Sequence, residues 1–199
     1  MEGSTFEYHG KKHFVTFDAE VVRAIKTRTI SGPRNPHKMQ LLGRIGEALV
    51  PVLLREVGFT GVDNLNSVQN NHPDADLIAE RNGQRFFISV KARNKVQTNG
   101  TLNSRYKLES KGRKVPHAIE QAKRRLAQFA WVAVQVDGNT YSAYFGTHDL
   151  LCSLPKKCNG KGILMTDDWT AYYEVLAKNE RHDLPHDLFS NHSVASPSR

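Results

Sequence analysis

Hydrophobic and polar positions divide the chain into one long helical segment and several short strands separated by polar stretches. Apolar residues in 39–57 recur every three or four positions, which predicts an amphipathic helix that Gly58 ends. Short apolar runs bounded by turn residues predict strands at 62–66, 74–79, 85–92, 131–136, 140–145 and 162–165. Further helices are expected at 117–129, 149–154 and 167–177. This order predicts an α/β fold with a mixed central sheet flanked by helices.

The two ends of the chain lack this periodicity. We expect residues 1–37 to be an N-terminal extension with at most one short helix, and residues 181–199 to be a flexible tail. Residues 38–180 are expected to form a single domain, since a core of this size suits one domain. Within that domain, the polar and basic segment 93–114 predicts a mobile loop.

Composition excludes several classes of protein. No apolar run approaches the roughly 20 residues that a membrane span requires, and the first residues carry no hydrophobic signal core. We therefore expect a cytoplasmic protein with no membrane partner. The two cysteines, Cys152 and Cys158, do not have the spacing of a zinc ribbon and are expected to be free thiols.

The positive charge is concentrated in one stretch. The net charge of the whole chain is +8, yet residues 91–125 hold eleven lysines and arginines against two glutamates, so the remainder is slightly negative. Such a concentration suits a polyanion, and nucleic acid is the first candidate. A solvated basic loop without a ligand is the alternative.

Two charged residues are expected to meet in a hairpin near the start of this stretch. Asp76 precedes Asn82-Gly83, a strong signal for a two-residue hairpin turn, and Lys91 lies on the strand after it. Alternation along that strand directs Ser89 and Lys91 to one face, toward Asp76, and Ile88 to the other. A carboxylate beside a lysine on adjacent strands can hold Mg²⁺ and stabilise a phosphoryl group. An ordinary cross-strand ion pair is the alternative interpretation.

These segments resemble the PD-(D/E)XK nuclease superfamily, which has a restriction-endonuclease-like αβββαβ core, and in particular the archaeal Holliday-junction resolvases. Gly43 to Glu47 resembles the helix with the family's first acid, 76–83 the strand and turn with its central aspartate, and 88–91 the strand that ends in (D/E)-x-K. The resemblance implies a Mg²⁺- or Mn²⁺-dependent endonuclease with Asp76, Lys91, Glu47, Ser89 and Gln121 as catalytic residues. Glu47 alone could equally be a solvated helix glutamate, and Gln121 an exposed one.

Ser89 departs from the family pattern, which has an acid at this position. Some related restriction enzymes take the missing acid from the next helix, so the resemblance implies Glu120 as the substitute, with Glu109 behind it. Asp74 is a third candidate, because it lies two residues before Asp76 and shares its face. The expected metal ligands are therefore Asp76, Glu47, Glu120 and Asp74.

The expected substrate is branched or double-stranded DNA, and a homodimer would supply two sites for two strands. A catalytically impaired nucleic-acid-binding protein, an RNA-directed nuclease and a protein that binds an acidic partner are the alternatives. Basic residues of the loop and the following helix are expected to contact phosphates. They are Arg93, Lys95, Arg105, Lys107, Lys111, Arg113, Lys114, Lys123, Arg124 and Arg125.

Overall fold

The chain folds around a mixed β-sheet covered by helices on both faces. The computed structural model describes residues 2–27, 36–67, 75–93, 105–107, 115–153, 162–164 and 174–185. The strands within them are β1 Gly3–Tyr8, β2 Lys11–Thr16, β3 Thr60–Asn64, β4 Leu77–Arg81, β5 Gln84–Arg93, β6 Arg105–Lys107, β7 Ala127–Asp137, β8 Thr140–Thr147, β9 Gly162–Leu164 and β10 Glu174–Arg181. The helices are α1 Ala19–Thr27, α2 Pro36–Glu56, α3 Val115–Arg124 and α4 His148–Cys152.

Six of these strands form the central sheet, in the order β10-β8-β7-β5-β4-β3. Neighbouring strands are antiparallel except β5 and β7, which run parallel and are connected through α3. A parallel pair needs such a crossover connection, whereas the antiparallel pairs need only turns. The predicted α/β class is confirmed. When β6 is set aside because it lies outside the central sheet, the order α2, β3, β4, β5, α3, β7 is αβββαβ.

Helix α2 covers one face of the sheet through the apolar stripe visible in the sequence. Its buried side chains include Leu42, Ile45, Leu49 and Leu53, which pack with Ile88 and other residues of that face. Residues of α3 cover the opposite face in a second cluster that contains Phe87, Phe129 and Trp131. Each residue of the candidate site therefore lies nearer to the α2 side or to the α3 side of the sheet.

The predicted boundary between α3 and β7 is wrong. The helix ends at Arg124, and Phe129, which we expected at its end, lies within β7. Leu126 forms the turn between them with a φ of 54° and 89% exposure. Nearly every residue of β7 is buried on one face or the other. A strand buried on both faces has a continuous apolar run that periodicity does not separate from a helix.

The N-terminal residues belong to the core instead of extending away from it. Strands β1 and β2 form a hairpin, and Phe6, Val15 and Val21 join the α2-side cluster. The amide of Thr5 donates to Asp183 Oδ1 over 2.7 Å, and the hydroxyl of Tyr141 donates to the Glu7 carbonyl over 2.7 Å. The extension expected at 1–37 is therefore a structural part of the domain over 2–27.

The C-terminal part of the domain also differs from expectation. Residues 174–177, expected as the end of a helix, begin strand β10, which pairs with β8. Pairing with a neighbouring strand overrides the weak local preference of this segment. The tail expected from 181 is wrong over residues 181–185, because His182 bridges to Phe6 and Leu184 is buried, and the rest of it lies outside the described residues. Cys152 is disulfide-bonded, so the free thiol expected there is wrong.

None of the described helices is long and apolar enough to cross a membrane.

Arg81 joins the end of β4 to β10 and to an aromatic cluster. Its guanidinium makes two hydrogen bonds to Glu174, of 3.0 and 2.7 Å, and lies 4.1 Å from the centre of the Phe59 ring. We expect Arg81→Lys to lower the free energy of unfolding by about 1–2 kcal/mol, because lysine keeps the charge but loses the bidentate pair and the planar contact. Urea denaturation measures this value.

Arg85→Lys is the matched control, since Arg85 pairs with Glu80 and both side chains are nearly half exposed. An exposed pair should change stability by less than about 0.5 kcal/mol. Equal losses in the two variants would contradict the stabilising role of Arg81.

Candidate active site

The β4–β5 hairpin brings Asp76 and Ser89 together. Asn82 and Gly83 have φ values of 53° and 73°, as the predicted tight turn requires. The register then pairs Leu77 with Ile88, and the amide of Asp76 donates to the Ile88 carbonyl over 3.0 Å. This register places Asp76 opposite Ser89, one residue beyond the last ladder pair.

The carboxylate of Asp76 is held by two hydrogen bonds at one oxygen. Val90 N–H donates to Oδ2 over 2.7 Å and the hydroxyl of Ser89 donates to the same oxygen over 3.0 Å. Asp76 is 5% exposed and Ser89 is fully buried. Ser89 therefore orients the carboxylate of Asp76, which is a different role from that of the metal-ligating acid expected at its position.

Lys91 lies on the same face of β5 as Ser89. It follows Ser89 by two residues, and its ammonium lies 5.8 Å from the centre of the Trp131 ring, in the α3-side cluster. The indole N–H of Trp131 donates to Nδ1 of His148 over 3.1 Å. Sequence reasoning missed this support, because Trp131 and His148 meet only through the pairing of β7 with the chain that follows it. Lys91 therefore lies on the face of β5 from which Ser89 contacts Asp76, and the pairing of Lys91 with Asp76 stays a prediction.

Glu47 approaches the same end of the hairpin from α2. A Cβ built on Gly46 would lie 2.9 Å from that of Ala92, so the helix packs directly on the second half of β5. The side-chain amide of Asn66 donates to Glu47 Oε2 over 3.2 Å. Asn66 belongs to a single 3-10 turn, Leu65–Ser67, and the amide of Leu65 donates to the Asp76 carbonyl over 3.0 Å.

This turn contacts both predicted acids. It holds the main chain of Asp76 through Leu65 and the carboxylate of Glu47 through Asn66. The only signal in the sequence is an asparagine pair within the strand predicted at 62–66, Asn64 and Asn66, in which Asn64 Oδ1 accepts from the Asn66 amide over 2.9 Å. Such local bonding is typical of turns, and it does not reveal a distant partner.

Helix α3 does not bring Glu120 to the site. Val115, Ala118 and Ala122 face the sheet, whereas the Glu120 side chain is 57% exposed and forms an ion pair with Arg124 one turn later. A residue on the outer side of a helix points away from the sheet that the helix covers. The geometry therefore does not support Glu120 as the acid that replaces Ser89. Gln121 is half-buried on the flank of the helix.

The basic residues that follow Gln121 lie at the other end of the same face. Lys123, Arg124 and Arg125 are exposed, and the guanidinium of Arg125 lies 5.3 Å from the centre of the Phe87 ring. Lys91 follows Phe87 by four positions along the strand, so the two residues lie about 13 Å apart. Arg93 is half-buried at the far end of β5. Positive charge thus flanks the Asp76 region at both ends of β5.

Several predicted residues cannot be placed. Arg105 and Lys107 lie in β6, which pairs with β9, and only their backbone is described. Six residues lie outside the described ranges: Asp74, Lys95, Glu109, Lys111, Arg113 and Lys114.

The two carboxylates suit Mg²⁺ better than a metal that requires a full protein cage. Over the described residues, no three His, Cys, Asp or Glu side chains gather at one point. Mg²⁺ keeps several waters and commonly takes only one or two protein carboxylates. Asp76 and Glu47 meet that smaller requirement by donor type, and the hydrogen bonds to Oδ2 of Asp76 and Oε2 of Glu47 orient both groups.

His148 should make stability depend on pH. Burial lowers the pKa of His148 below its ordinary value, although Asp149 opposes this effect. The unfolded chain therefore takes up a proton at a higher pH than the folded chain does, so folding stability falls as pH drops through about 6.5 toward the lower folded pKa. Protonation also removes the acceptor for the Trp131 indole.

We expect His148→Gln to flatten this pH dependence in denaturant unfolding between neutral and mildly acidic pH. His117→Gln, at an exposed position of α3, is the control and should retain the wild-type slope. An unchanged slope in His148→Gln would show that other groups cause the acid sensitivity.

Comparison with protein-family models, curated proteins and solved structures found no match to this chain.

Proposed function

We propose that this protein is a Mg²⁺- or Mn²⁺-dependent endonuclease of the PD-(D/E)XK type that hydrolyses phosphodiester bonds in DNA. The observation that carries the proposal is the carboxylate of Asp76, which Ser89 and Val90 orient beside the face of β5 that also carries Lys91. The αβββαβ order supports it, because this core is the one that the family resemblance implies.

Each residue has a defined role in this proposal. Asp76 and Glu47 would hold the metal ion through carboxylate oxygens, and Ser89 keeps Asp76 in its orientation. The bound ion supplies polarisation of the phosphate and a water with a lowered pKa. Lys91 stabilises negative charge that develops on the phosphoryl oxygens. Gln121 is available on the flank of α3 to contact the phosphate or the water.

DNA is the proposed substrate because the basic residues flank the site along the strand. Arg93 lies at one end of β5, and Lys123, Arg124 and Arg125 lie toward the other. Contacts of lysine and arginine with phosphates set affinity without reading base sequence, and they weaken as salt rises. A homodimer, which would place two sites on two strands, remains a prediction.

A nucleic-acid-binding protein without catalysis is the second candidate. Asp76 is 5% exposed, and one of its oxygens already accepts two hydrogen bonds. In addition, Ser89 stands where the family has an acid, and Glu120 points elsewhere. A buried Asp76 and the lack of an acid at position 89 would both weaken metal binding, and the protein would then bind nucleic acid without cutting it.

Incubation of the purified chain with plasmid DNA, oligonucleotide DNA and RNA separates the candidates. With Mg²⁺ or Mn²⁺ we expect DNA cleavage, and with EDTA we expect none. Salt-sensitive binding without cleavage would support the second candidate, and preferential cutting of RNA would reassign the substrate. If no nucleic acid bound even at low salt, both candidates would be rejected.

A further inference from the structure

A groove runs along α2 and opens beside Glu47. It has a volume of about 410 Å³ and lies between α2 and the segment from β2 into α1. The α2 residues that line it extend from Arg44 to Arg55, which corresponds to about 16 Å of helix. The groove therefore extends along the helix, which allows an elongated ligand several contacts along its length.

Phe14 is an exposed aromatic ring in this groove. Its side chain lines the cavity, yet the residue is 60% exposed, one of three large hydrophobic residues exposed in the described part of the chain. The neighbouring Val15 is buried, so strand alternation accounts for the outward direction of Phe14 but not for the choice of an aromatic residue there. An exposed ring beside a cavity offers a surface on which a base can stack.

Arg55 supplies positive charge on the same part of α2. Its guanidinium donates to the Val62 carbonyl over 2.8 Å, which orients the side chain without neutralising its charge. Among the described residues, no carboxylate forms an ion pair with Arg55. A guanidinium held in this way has further donors available for a phosphate.

The acids of the groove are accounted for by other contacts. Asp18 caps the start of α1 by accepting from the amides of Glu20 and Val21, and both Asp18 and Glu20 pair with Arg44. Glu47, about 12 Å along the helix from Arg55, is one of the two carboxylates proposed to bind the metal. With an ion at Glu47, the groove would carry net positive charge.

We propose that this groove binds an unpaired segment of the DNA strand, with a base stacked on Phe14 and a phosphate at Arg55. The inference rests on the proposed nuclease function and specifies its substrate. A base that stacks on Phe14 has to be unpaired, so the preferred DNA carries an overhang, flap or gap beside the cleaved bond. A fully paired four-way junction lacks this feature.

Fluorescence anisotropy in Ca²⁺, an ion that also takes carboxylate oxygens, tests the groove with the metal site filled, and a gel of the same samples verifies that the DNA stays uncut. The probes are a labelled blunt duplex, the same duplex with a single-stranded oligothymidylate overhang, and a fully paired four-way junction. We expect the overhang duplex to bind about 10-fold more tightly than the blunt duplex, and Phe14→Ala or Arg55→Gln to remove most of that difference. Phe14→Tyr should restore it, since the ring remains.

Leu126→Ala is the matched control, because Leu126 is an exposed apolar residue away from the groove. Equal binding of blunt and overhang duplexes by the wild-type chain would overturn the inference, and so would an undiminished preference in Phe14→Ala. Indiscriminate metal-dependent cutting would retain the nuclease and reject the groove. Overhang binding through Phe14 without any cutting would retain the groove and reject the nuclease.

Discussion

Asp76→Asn should reduce metal-dependent DNA cleavage by at least about 1,000-fold, because it removes the negative charge that holds the ion, and metal stabilisation of the transition state is worth several kcal/mol. The change keeps the size of the side chain and an oxygen that can accept from Ser89 or Val90. The fold should therefore survive. Single-turnover cleavage of a labelled DNA in Mg²⁺ measures the loss, and circular dichroism verifies the fold.

Asp63→Asn is the matched control for this substitution. Asp63 lies exposed on β3, the edge strand beside β4. The substitution therefore removes one negative charge from the same sheet, but away from the candidate site. Its cleavage rate should equal that of the wild type. Wild-type activity in a folded Asp76→Asn variant would exclude Asp76 as a metal ligand.

Lys91→Ala should reduce the cleavage rate by roughly 100-fold while DNA binding changes little, because removal of one group that stabilises charge in the transition state costs about that much. The ammonium is one of several positive charges along β5, so affinity depends on it less than the chemical step does. Measuring the rate at saturating enzyme and the dissociation constant in EDTA separates the two effects.

Lys123→Ala provides the comparison for Lys91. Lys123 is exposed at the end of α3, and its loss should weaken DNA binding modestly and reduce the salt dependence of binding. The rate at saturation should remain unchanged. If Lys91→Ala and Lys123→Ala gave the same result, Lys91 would be one more phosphate contact with no part in catalysis.

Local patterns were sufficient to predict the hairpin that carries the site. Asn82-Gly83 fixes the turn, and strict alternation then decides which residues of β5 share a face with Asp76. The sequence also predicts helix α2, because its apolar residues form one stripe and that stripe packs on the sheet. In these elements local preference and tertiary packing agree.

Elements that depend on distant pairing could not be predicted in this way. The β1–β2 hairpin is stabilised by Asp183 and Tyr141, more than 130 positions away along the chain, and β10 forms against β8. The direction of Glu120 depends on which side of α3 faces the sheet. A short helix with few apolar residues does not reveal that side in its sequence. The hydrogen bond from Asn66 to Glu47 joins a turn to a helix, and no sequence spacing predicts it.

Titration of Mn²⁺ into the purified chain, followed by the electron paramagnetic resonance signal of free Mn²⁺, tests most directly whether Asp76 and Glu47 share an ion. We predict one bound ion per chain, with an affinity reduced at least about 10-fold by Asp76→Asn and by Glu47→Gln and unchanged by Asp63→Asn. Absence of binding by the wild-type chain, or equal affinity in all four proteins, would contradict the proposed metal site.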